Sequence, residues 1–338
     1  EDTGWAWICE EATDADVAAS VLRTPQRWFV GTLYGLKTSL DGCEWSDDPG
    51  LLDTYILRVM QDRHDPERVW AVTMTGLWVV DGLADARLER TIDFSVRHAG
   101  QADDGALLLV GFDGPEPIAQ LGDQRIPLPA ETGRIEVVNS DPAGRFYVRF
   151  PAGQTDRLVR VSEEGAEVLL EQTSLIRDVA SLGSDLYVLY SEGVSWSQDD
   201  GQTWSTPAGA PITCLRGGAS GFYACPPPGA TAALYYAPAL EADPVSWPWE
   251  SALDFVAVAP NACAAGSTVR NICPLIWQTV AEELGIVIES NVTDPAETAP
   301  PTSGCAAHRA SEGRVASLLL WMSLSALMLS RRRSFSDD

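Results

Sequence analysis

The sequence contains very little lysine and histidine, and it lacks the common patterns for metal binding and nucleophilic catalysis. Lys37 is the only lysine, and the histidines are His64, His98 and His308. No Cys-x-x-Cys pair occurs, which argues against a zinc site. No serine or cysteine stands in a nucleophile-elbow pattern, so the sequence gives little support to a hydrolase triad.

Positive charge as a whole is scarce. The 338 residues include 23 Lys+Arg against 48 Asp+Glu, which gives a formal net charge of −25. Binding to nucleic acid requires a basic surface, so we predict no nucleic-acid partner. A solvated acidic surface suits an exported protein, and it favours cationic or neutral partners.

Seven cysteines occur in a chain that starts at Glu1 and not at Met. We expect that a signal peptide has been removed or that the chain is a fragment. Six cysteines are neighbours in pairs along the sequence, which indicates disulfides formed in an oxidising compartment. The predicted bridges are Cys9–Cys43, Cys214–Cys225 and Cys263–Cys273, and Cys305 is left unpaired.

Sustained helical periodicity is missing as well, and a repeat of short β-type runs takes its place. The equivalent positions are Val30, Val72, Val110, Val148, Val188 and Ala224, with steps of 42, 38, 38, 40 and 36 residues. Aromatic and β-branched runs at a period near 40, separated by turn residues, are typical of propeller blades. We therefore predict an all-β propeller of six blades over residues 1–288, with seven blades as the near alternative. A β-sandwich or β-helix is the competing fold. Residues 5–9 are expected to complete the last blade beside residues 255–258.

One motif supports this fold directly. The run from Ser197 to Trp204 contains Ser197, Asp199, Gly201, Thr203 and Trp204 at the spacing Ser-x-Asp-x-Gly-x-Thr-Trp. The serine and aspartate can accept hydrogen bonds from backbone N–H groups of their own turn, and the glycine can adopt positive φ. The tryptophan is expected to start the next strand and to bury its indole between neighbouring sheets.

A shorter version of the motif contains Ser39, Asp41, Gly42 and Trp45, one residue closer together. Both stretches resemble the Asp box of BNR-repeat, sialidase-like β-propellers. In that family the boxes are structural, so the resemblance implies a fold and no activity.

Sialidases of this fold use an arginine triad, a Tyr–Glu pair, an aspartate acid and an aromatic-Arg-Ile-Pro motif. Here the corresponding stretch, residues 124–127, has Gln in place of the aromatic residue and lies far downstream of the first box. We interpret Arg125 as a turn arginine and predict no catalytic residues. The predicted function is a non-catalytic exported propeller that binds an envelope protein or glycan. A propeller-fold glycosidase or lyase is the alternative, and a purely structural envelope component is the third.

No cofactor is predicted, although paired acidic residues could bind Ca²⁺ in loops. These pairs are Asp47-Asp48, Asp103-Asp104 and Asp199-Asp200. Solvated turn carboxylates are the competing interpretation, because none of the pairs has EF-hand spacing.

In about the last ninety residues the repeat of β-type runs ends and three segments of different composition follow. Residues 274–285 carry helix signals, with Pro274 in the first turn and Gly285 at the end. Residues 289–304 are rich in Pro, Thr and Ser and are predicted to form a flexible linker. The third segment is residues 305–338.

This third segment has an apolar run, residues 315–329, followed by Arg331, Arg332 and Arg333. As a helix the run would span roughly 22 Å, short of the ~30 Å hydrocarbon core, and flanking arginines could extend it. The order Cys305, apolar run, arginines resembles the MYXO-CTERM sorting tails of myxobacterial surface proteins. The resemblance implies anchoring in the membrane, removal by a membrane protease near Cys305 and delivery to the cell surface or medium. This chain departs from the family by continuing for five residues after the arginines.

Overall fold

A computed structural model describes most of the chain before residue 284. The described residues are 6–7, 9, 13, 20–102, 104–129, 135–140, 144–152, 155–210, 212–217, 221–227, 230, 232–238, 247–254, 259–260 and 263–283. The predicted linker 289–304 and the tail 305–338, with Cys305, Arg331, Arg332 and Arg333, lie outside them. Within the described part, the helix is too short to cross a membrane.

The chain begins with β1 (Ala6–Trp7) and then forms six antiparallel sheets within the described residues, each from consecutive strands. Sheet 1 contains β2 (Ser20–Arg23), β3 (Trp28–Gly31), β4 (Gly35–Ser39) and β5 (Ser46–Leu52). Sheet 2 contains β6 (Ile56–Gln61), β7 (Arg68–Thr73), β8 (Gly76–Asp81) and β9 (Arg87–Thr91). Sheet 3 contains β10 (Ser95–Gln101), β11 (Leu107–Asp113), β12 (Glu116–Leu121) and β13 (Gln124–Pro127).

The second half repeats the pattern. Sheet 4 contains β14 (Glu136–Ser140), β15 (Phe146–Ala152), β16 (Thr155–Ser162) and β17 (Gly165–Gln172). Sheet 5 contains β18 (Asp178–Leu182), β19 (Asp185–Leu189) and β20 (Val194–Ser197). Sheet 6 contains β21 (Cys214–Gly217), β22 (Gly221–Cys225), β23 (Ala232–Pro238) and β24 (Glu250–Asp254). The short β25 (Ala259–Pro260) and α1 (Thr268–Glu283) follow.

Consecutive sheets pack face to face through apolar side chains. Phe29 of sheet 1 and Val69 of sheet 2 share one buried cluster, and similar clusters join each later sheet to the next. The first strands of consecutive sheets contact one another from β2 to β21. Sheets that pack in sequence around their first strands form a β-propeller, as predicted. The blade count of six stays a prediction.

Buried aspartates add polar links between the sheets. Asp48 accepts a hydrogen bond from the Ala86 N–H at 3.1 Å, and Asp156 accepts one from Ile176 at 2.8 Å. Ala86 lies in a turn of sheet 2 and Ile176 lies just before sheet 5, so each bond links one sheet to the next. Asp48 and Asp156 are 3% and 5% exposed as residues, so replacing them with apolar residues would leave buried N–H donors unsatisfied.

Sheet 5 departs from the expected four strands. The chain after β20 meets it again through the Val194–Ala208 bridge, with N–H···O distances of 2.8 and 3.0 Å. Trp204 belongs to no strand, so the expectation that it starts the next strand is wrong. Pro207 has no N–H to donate, which limits pairing along this edge.

The two ends of the propeller meet in an unexpected way. Sheet 6 has its own fourth strand, and β1 instead pairs in parallel with β25 through Ala6–Ala259 and Trp7–Pro260. The prediction that the N-terminal strand completes the last blade is therefore wrong. Residues 255–258, its expected partner, lie outside the described part.

The disulfide pairing differs from the prediction at two of three bridges. Cys214–Cys225 is confirmed. The other bridges are Cys9–Cys273 and Cys43–Cys263, so the predicted pairs Cys9–Cys43 and Cys263–Cys273 are wrong. All four of these cysteines lie in one buried cluster, where spatial contact and not sequence distance decides the partner. The three disulfides indicate an oxidising compartment and therefore an exported protein.

Helix α1 is longer than predicted and starts six residues earlier, so Pro274 lies inside it and not in its first turn. Ser267 accepts a hydrogen bond from the Arg270 N–H at 3.3 Å and acts as the N-cap. Glu44 accepts hydrogen bonds from the backbone N–H and the hydroxyl of Thr268, both at 3.0 Å. A carboxylate there also interacts favourably with the helix dipole. These bonds fasten the helix to sheet 1.

We predict that replacing Cys43 with serine exposes a free thiol at Cys263, because these two sulfurs are bonded. Alkylation without reduction, followed by peptide mapping, identifies the labelled cysteine. With Cys9–Cys273 intact, the lost bridge closes a loop of about 46 residues, so the free energy of unfolding should fall by about 4 kcal/mol. Labelling of Cys9 instead would contradict this pairing. The variant Cys214→Ser is the control and should add a label at Cys225, while Cys305, predicted to be unpaired, labels in every variant.

Candidate functional site

The strongest sequence motif forms a self-contained turn after β20. The Gly201 N–H donates to Ser197 Oγ at 2.8 Å, and the Thr203 N–H donates to Asp199 Oδ1 at 2.8 Å. Gly201 has φ of +87°. The predicted turn chemistry is therefore confirmed. The Thr203 hydroxyl donates to Asp199 Oδ2 at 2.6 Å, and this bond is the largest cause that lowers the pKa of Asp199 to about 2.

The shorter motif after β4 forms the same bonds. The Gly42 N–H donates to Ser39 Oγ at 2.9 Å, and the Cys43 N–H donates to Asp41 Oδ1 at 2.8 Å. Gly42 has φ of +74°. Trp45 packs against the buried cysteine cluster.

Trp204 is half-buried and packs against the apolar cluster between sheets 4 and 5, as predicted for its indole. Its Nε1–H donates to the Gly201 carbonyl at 3.0 Å. Ser39 and Ser197 each end the third strand of their sheet, so both turns lie at the same end of the sheets. We call this the box end, and we assign the residues of both turns a structural role.

The opposite end of sheet 1 exposes four large apolar side chains, which we call the tyrosine patch. Leu33 and Tyr34 lie in the turn between β3 and β4, and Leu52 and Tyr55 lie where β5 leads into sheet 2. Their exposed fractions are 36%, 55%, 52% and 45%. The turn from the second to the third strand and the connection to the next sheet are both at the end away from the boxes.

The two parts of the patch are in direct contact through the backbone. The Ile56 N–H donates to the Thr32 carbonyl at 2.9 Å, and Gly35 pairs with Leu52. Gly35 has φ of +147°, and a Cβ there would lie 2.6 Å from the Leu51 carbonyl oxygen. Glycine at this position therefore allows the close approach that brings the two turns together.

A second feature lies on the first strands. Arg58 of β6 donates from Nη1 to the Ala99 carbonyl at 2.6 Å. Arg216 of β21 forms an ion pair with the buried Asp178 of β18. Asp178 also accepts hydrogen bonds from the N–H groups of Leu215 and Val179, both at 3.0 Å. Burial raises the pKa of Asp178, although Arg216 and these hydrogen bonds lower it in part.

Arg125, the arginine of the sialidase-like stretch, is not among these residues. It lies on β13, the outermost strand of sheet 3, and forms ion pairs with Asp93 and Asp113. Arg125 therefore lies in a strand, and its interpretation as a turn arginine is wrong; its pairing with carboxylates gives it a structural role.

Two buried tyrosines have the wrong electrostatics for a nucleophile. Burial raises the pKa of Tyr187 to about 12, and it raises the pKa of Tyr190 as well. Tyr187 packs against Phe222 with ring centroids 4.8 Å apart. Because a nucleophilic phenol needs a lowered pKa, these two residues fit a core role.

Where the structure describes the acidic pairs proposed for Ca²⁺, their carboxylates bind other groups of the protein. Asp200 binds Arg145 at 2.7 Å and Arg160 at 2.6 Å, beside a surface cavity of about 290 Å³. Asp48 and Asp199 accept backbone hydrogen bonds. Within the described residues, no group of three or more potential ligands is placed to hold a metal.

Sequence analysis missed Arg58 and the tyrosine patch. An arginine inside the otherwise apolar run of β6 was a usable signal, since charged residues are rare in such strands. The patch had no signal of its own, because exposure depends on how the turns fold.

We predict that Asp199→Asn lowers thermal stability at neutral pH and that the deficit shrinks as pH falls. The pKa of Asp199 is lowered in the folded protein, so its carboxylate stabilises the fold above about pH 4. That contribution is lost as pH falls through about 2. Melting curves between pH 7 and pH 2 measure it. The exposed Asp123→Asn variant is the control. A deficit that stays constant with pH would contradict the assignment.

No protein-family model and no curated protein matches this sequence. Solved structures that partly match this chain include an extracellular domain of a hybrid two-component system from Bacteroides thetaiotaomicron, 10% identical with a TM-score of 0.44. The match covers 61% of this chain and 32% of that one, so it spans about a third of that protein's length. YCF48 of Cyanidioschyzon merolae is 16% identical, with coverage of 60% and 78% and a TM-score of 0.42. The Pan2 WD40 domain of Neurospora crassa is 9% identical, with coverage of 68% and 77% and a TM-score of 0.41.

Proposed function

We propose that the protein is an exported, non-catalytic binding propeller that holds an envelope protein or glycan through the tyrosine patch. The observation that carries the proposal is the grouping of Leu33, Tyr34, Leu52 and Tyr55 at one end of the sheets. Contiguous exposed apolar surface on a soluble domain typically marks an interaction site. Tyrosines are well suited to such sites, because they combine a large apolar ring with a hydroxyl.

The charge near the patch favours a neutral or cationic partner. Asp53 lies between Leu52 and Tyr55, and the chain as a whole carries a net charge of −25. Anionic polymers would be repelled during approach. The exposed Asp53 has φ of +52°, a conformation uncommon for residues other than glycine, and it shapes the turn that presents Tyr55.

A binding role also agrees with the roles assigned to the other residues that could have been catalytic. Both box turns serve the fold, and the buried tyrosines have raised pKa values. Loops from several sheets lie at the end that carries the patch, an arrangement that suits recognition of an extended surface. For its final location we propose anchoring through residues 315–329, with processing near Cys305 by a membrane protease.

The test compares Tyr34→Ala/Tyr55→Ala with the wild type in a glycan array and an overlay on separated envelope proteins. We expect affinity for the recognised partner to fall at least tenfold, since that corresponds to about 1.4 kcal/mol and aromatic anchors often contribute more. Leu83→Ala is the matched control, because Leu83 is 64% exposed at the box end. Unchanged binding by the double tyrosine variant would refute the proposal.

A panel of fluorogenic glycosides, sialosides included, separates this function from the glycosidase alternative. The binding propeller should release no fluorophore from any of them. Turnover that a single arginine or tyrosine substitution abolishes would establish the enzyme instead.

A further inference from the structure

The bridge Cys214–Cys225 differs from the other two disulfides in its exposure. The four cysteines of the other bridges are between 0% and 5% exposed and lie together in one apolar cluster. Cys214 and Cys225 are half-buried instead. Thiol–disulfide exchange requires a thiolate to approach a sulfur atom directly, so access helps to decide which disulfide of a folded protein reacts. Cys214–Cys225 is therefore the bridge that a dissolved thiol meets first.

The strands around this bridge explain its exposure. Cys214 begins β21, Cys225 ends β22, and the two residues lie opposite each other in the register of sheet 6. The next pair, Leu215 and Ala224, is fully buried in the cluster between sheets 5 and 6. Side chains alternate between the two faces of a strand, so the disulfide lies on the face of sheet 6 turned away from sheet 5. Tyr223, on the same face, is half-buried as well.

Opening this bridge leaves the hairpin in place. Leu215, Phe222 and Ala224 hold β21 and β22 against sheet 5 from the opposite face, and the two strands remain paired through their backbones. The bridge spans a sequence separation of 11, against 264 and 220 for the other two. A disulfide stabilises a fold more when the loop that it closes is longer, so the loss of this bridge is the most easily tolerated.

A hydrogen bond indicates which sulfur leaves. The Cys225 N–H donates to Cys214 Sγ at 2.8 Å. A thiolate accepts such a bond more strongly than a disulfide sulfur does, because hydrogen bonds to charged groups are stronger. Cys214 is therefore the better leaving group, and an incoming thiolate should attack Cys225 Sγ. Cys9 donates to Cys273 Sγ in a similar way at 3.0 Å, so exposure and not this bond distinguishes the bridges.

We propose that Cys214–Cys225 is a thiol–disulfide exchange site that takes up a small thiol on Cys225. The thiolate of the small molecule forms a new S–S bond with Cys225 Sγ, and the bond to Cys214 Sγ breaks. Both electrons of the broken bond stay on Cys214, whose thiolate takes up the proton that the small thiol lost to solvent. Attack by Cys214 on the mixed disulfide reverses the reaction. The ligand class is a low-molecular-weight thiol, and the site does not depend on the binding function proposed above.

The test treats the whole oxidised chain with reduced glutathione under native conditions. The substitution Cys305→Ser in all samples removes the thiol predicted to be unpaired. Samples are quenched with excess alkylating reagent and mapped by mass spectrometry without reduction. We expect glutathione on Cys225 and an alkylated Cys214, formed roughly tenfold faster or more than any opening of the two buried bridges, which are the matched controls. The far-UV circular dichroism should stay unchanged, because the hairpin remains paired.

A variant tests the access to Cys225 separately. Cys214→Ser leaves the Cys225 thiol without its partner, and oxidised glutathione should convert it to the same mixed disulfide. An unreactive Cys225 in the folded variant would overturn the proposal. Three further results with the intact bridge would do the same: glutathione found first on Cys214, equal rates of opening for all three bridges, or no adduct before the chain loses its far-UV signal.

Discussion

The joining of the two ends of the propeller is the constraint on which the rest of the structure depends. Cys9–Cys273 and Cys43–Cys263 tie the start of the chain and sheet 1 to the segment after sheet 6, over sequence separations of 264 and 220 residues. Many propellers close by sharing strands between the first and last parts of the chain, but here each of the six antiparallel sheets within the described residues uses consecutive strands. Covalent closure removes that need, and β1 and β25 are free to form a small parallel pair outside the blades.

The two box turns show how one local motif serves two purposes. After β20 the turn is complete in itself, because Thr203 binds Asp199 twice. After β4 the turn keeps the serine, aspartate and glycine bonds but has Cys43 and Glu44 where the threonine would follow. Cys43 bonds to Cys263, and Glu44 caps helix α1. The shortened motif is therefore the point at which sheet 1 holds the C-terminal helix.

Buried and partly buried charges are mostly neutralised by local partners, although the chain as a whole is strongly acidic. Most of the partly buried arginines have a carboxylate within 3 Å, and buried aspartates bridge sheets by accepting backbone N–H groups. These contacts satisfy groups that would otherwise be costly to bury. Arg27 and Arg58 instead donate to backbone carbonyls, those of Ala84 and Ala99. The exposed tyrosines stand apart from a second rule, that large apolar side chains group in the interior.

The sequence by itself determined what depends on near neighbours: strands with a period near 40, the turn bonds of Ser197 and Asp199, and the Cys214–Cys225 bridge across a hairpin. Propensity, spacing and side-chain chemistry act over a few residues, so a pattern reveals them. The tertiary structure alone decided the partners of Cys9 and Cys43, the early start of α1 and the missing fourth strand of sheet 5. It also left Tyr34 and Tyr55 exposed at one end of sheet 1. Each of these depends on segments that are distant in sequence and meet only when the sheets pack, because burial and charge are properties of the assembled neighbourhood.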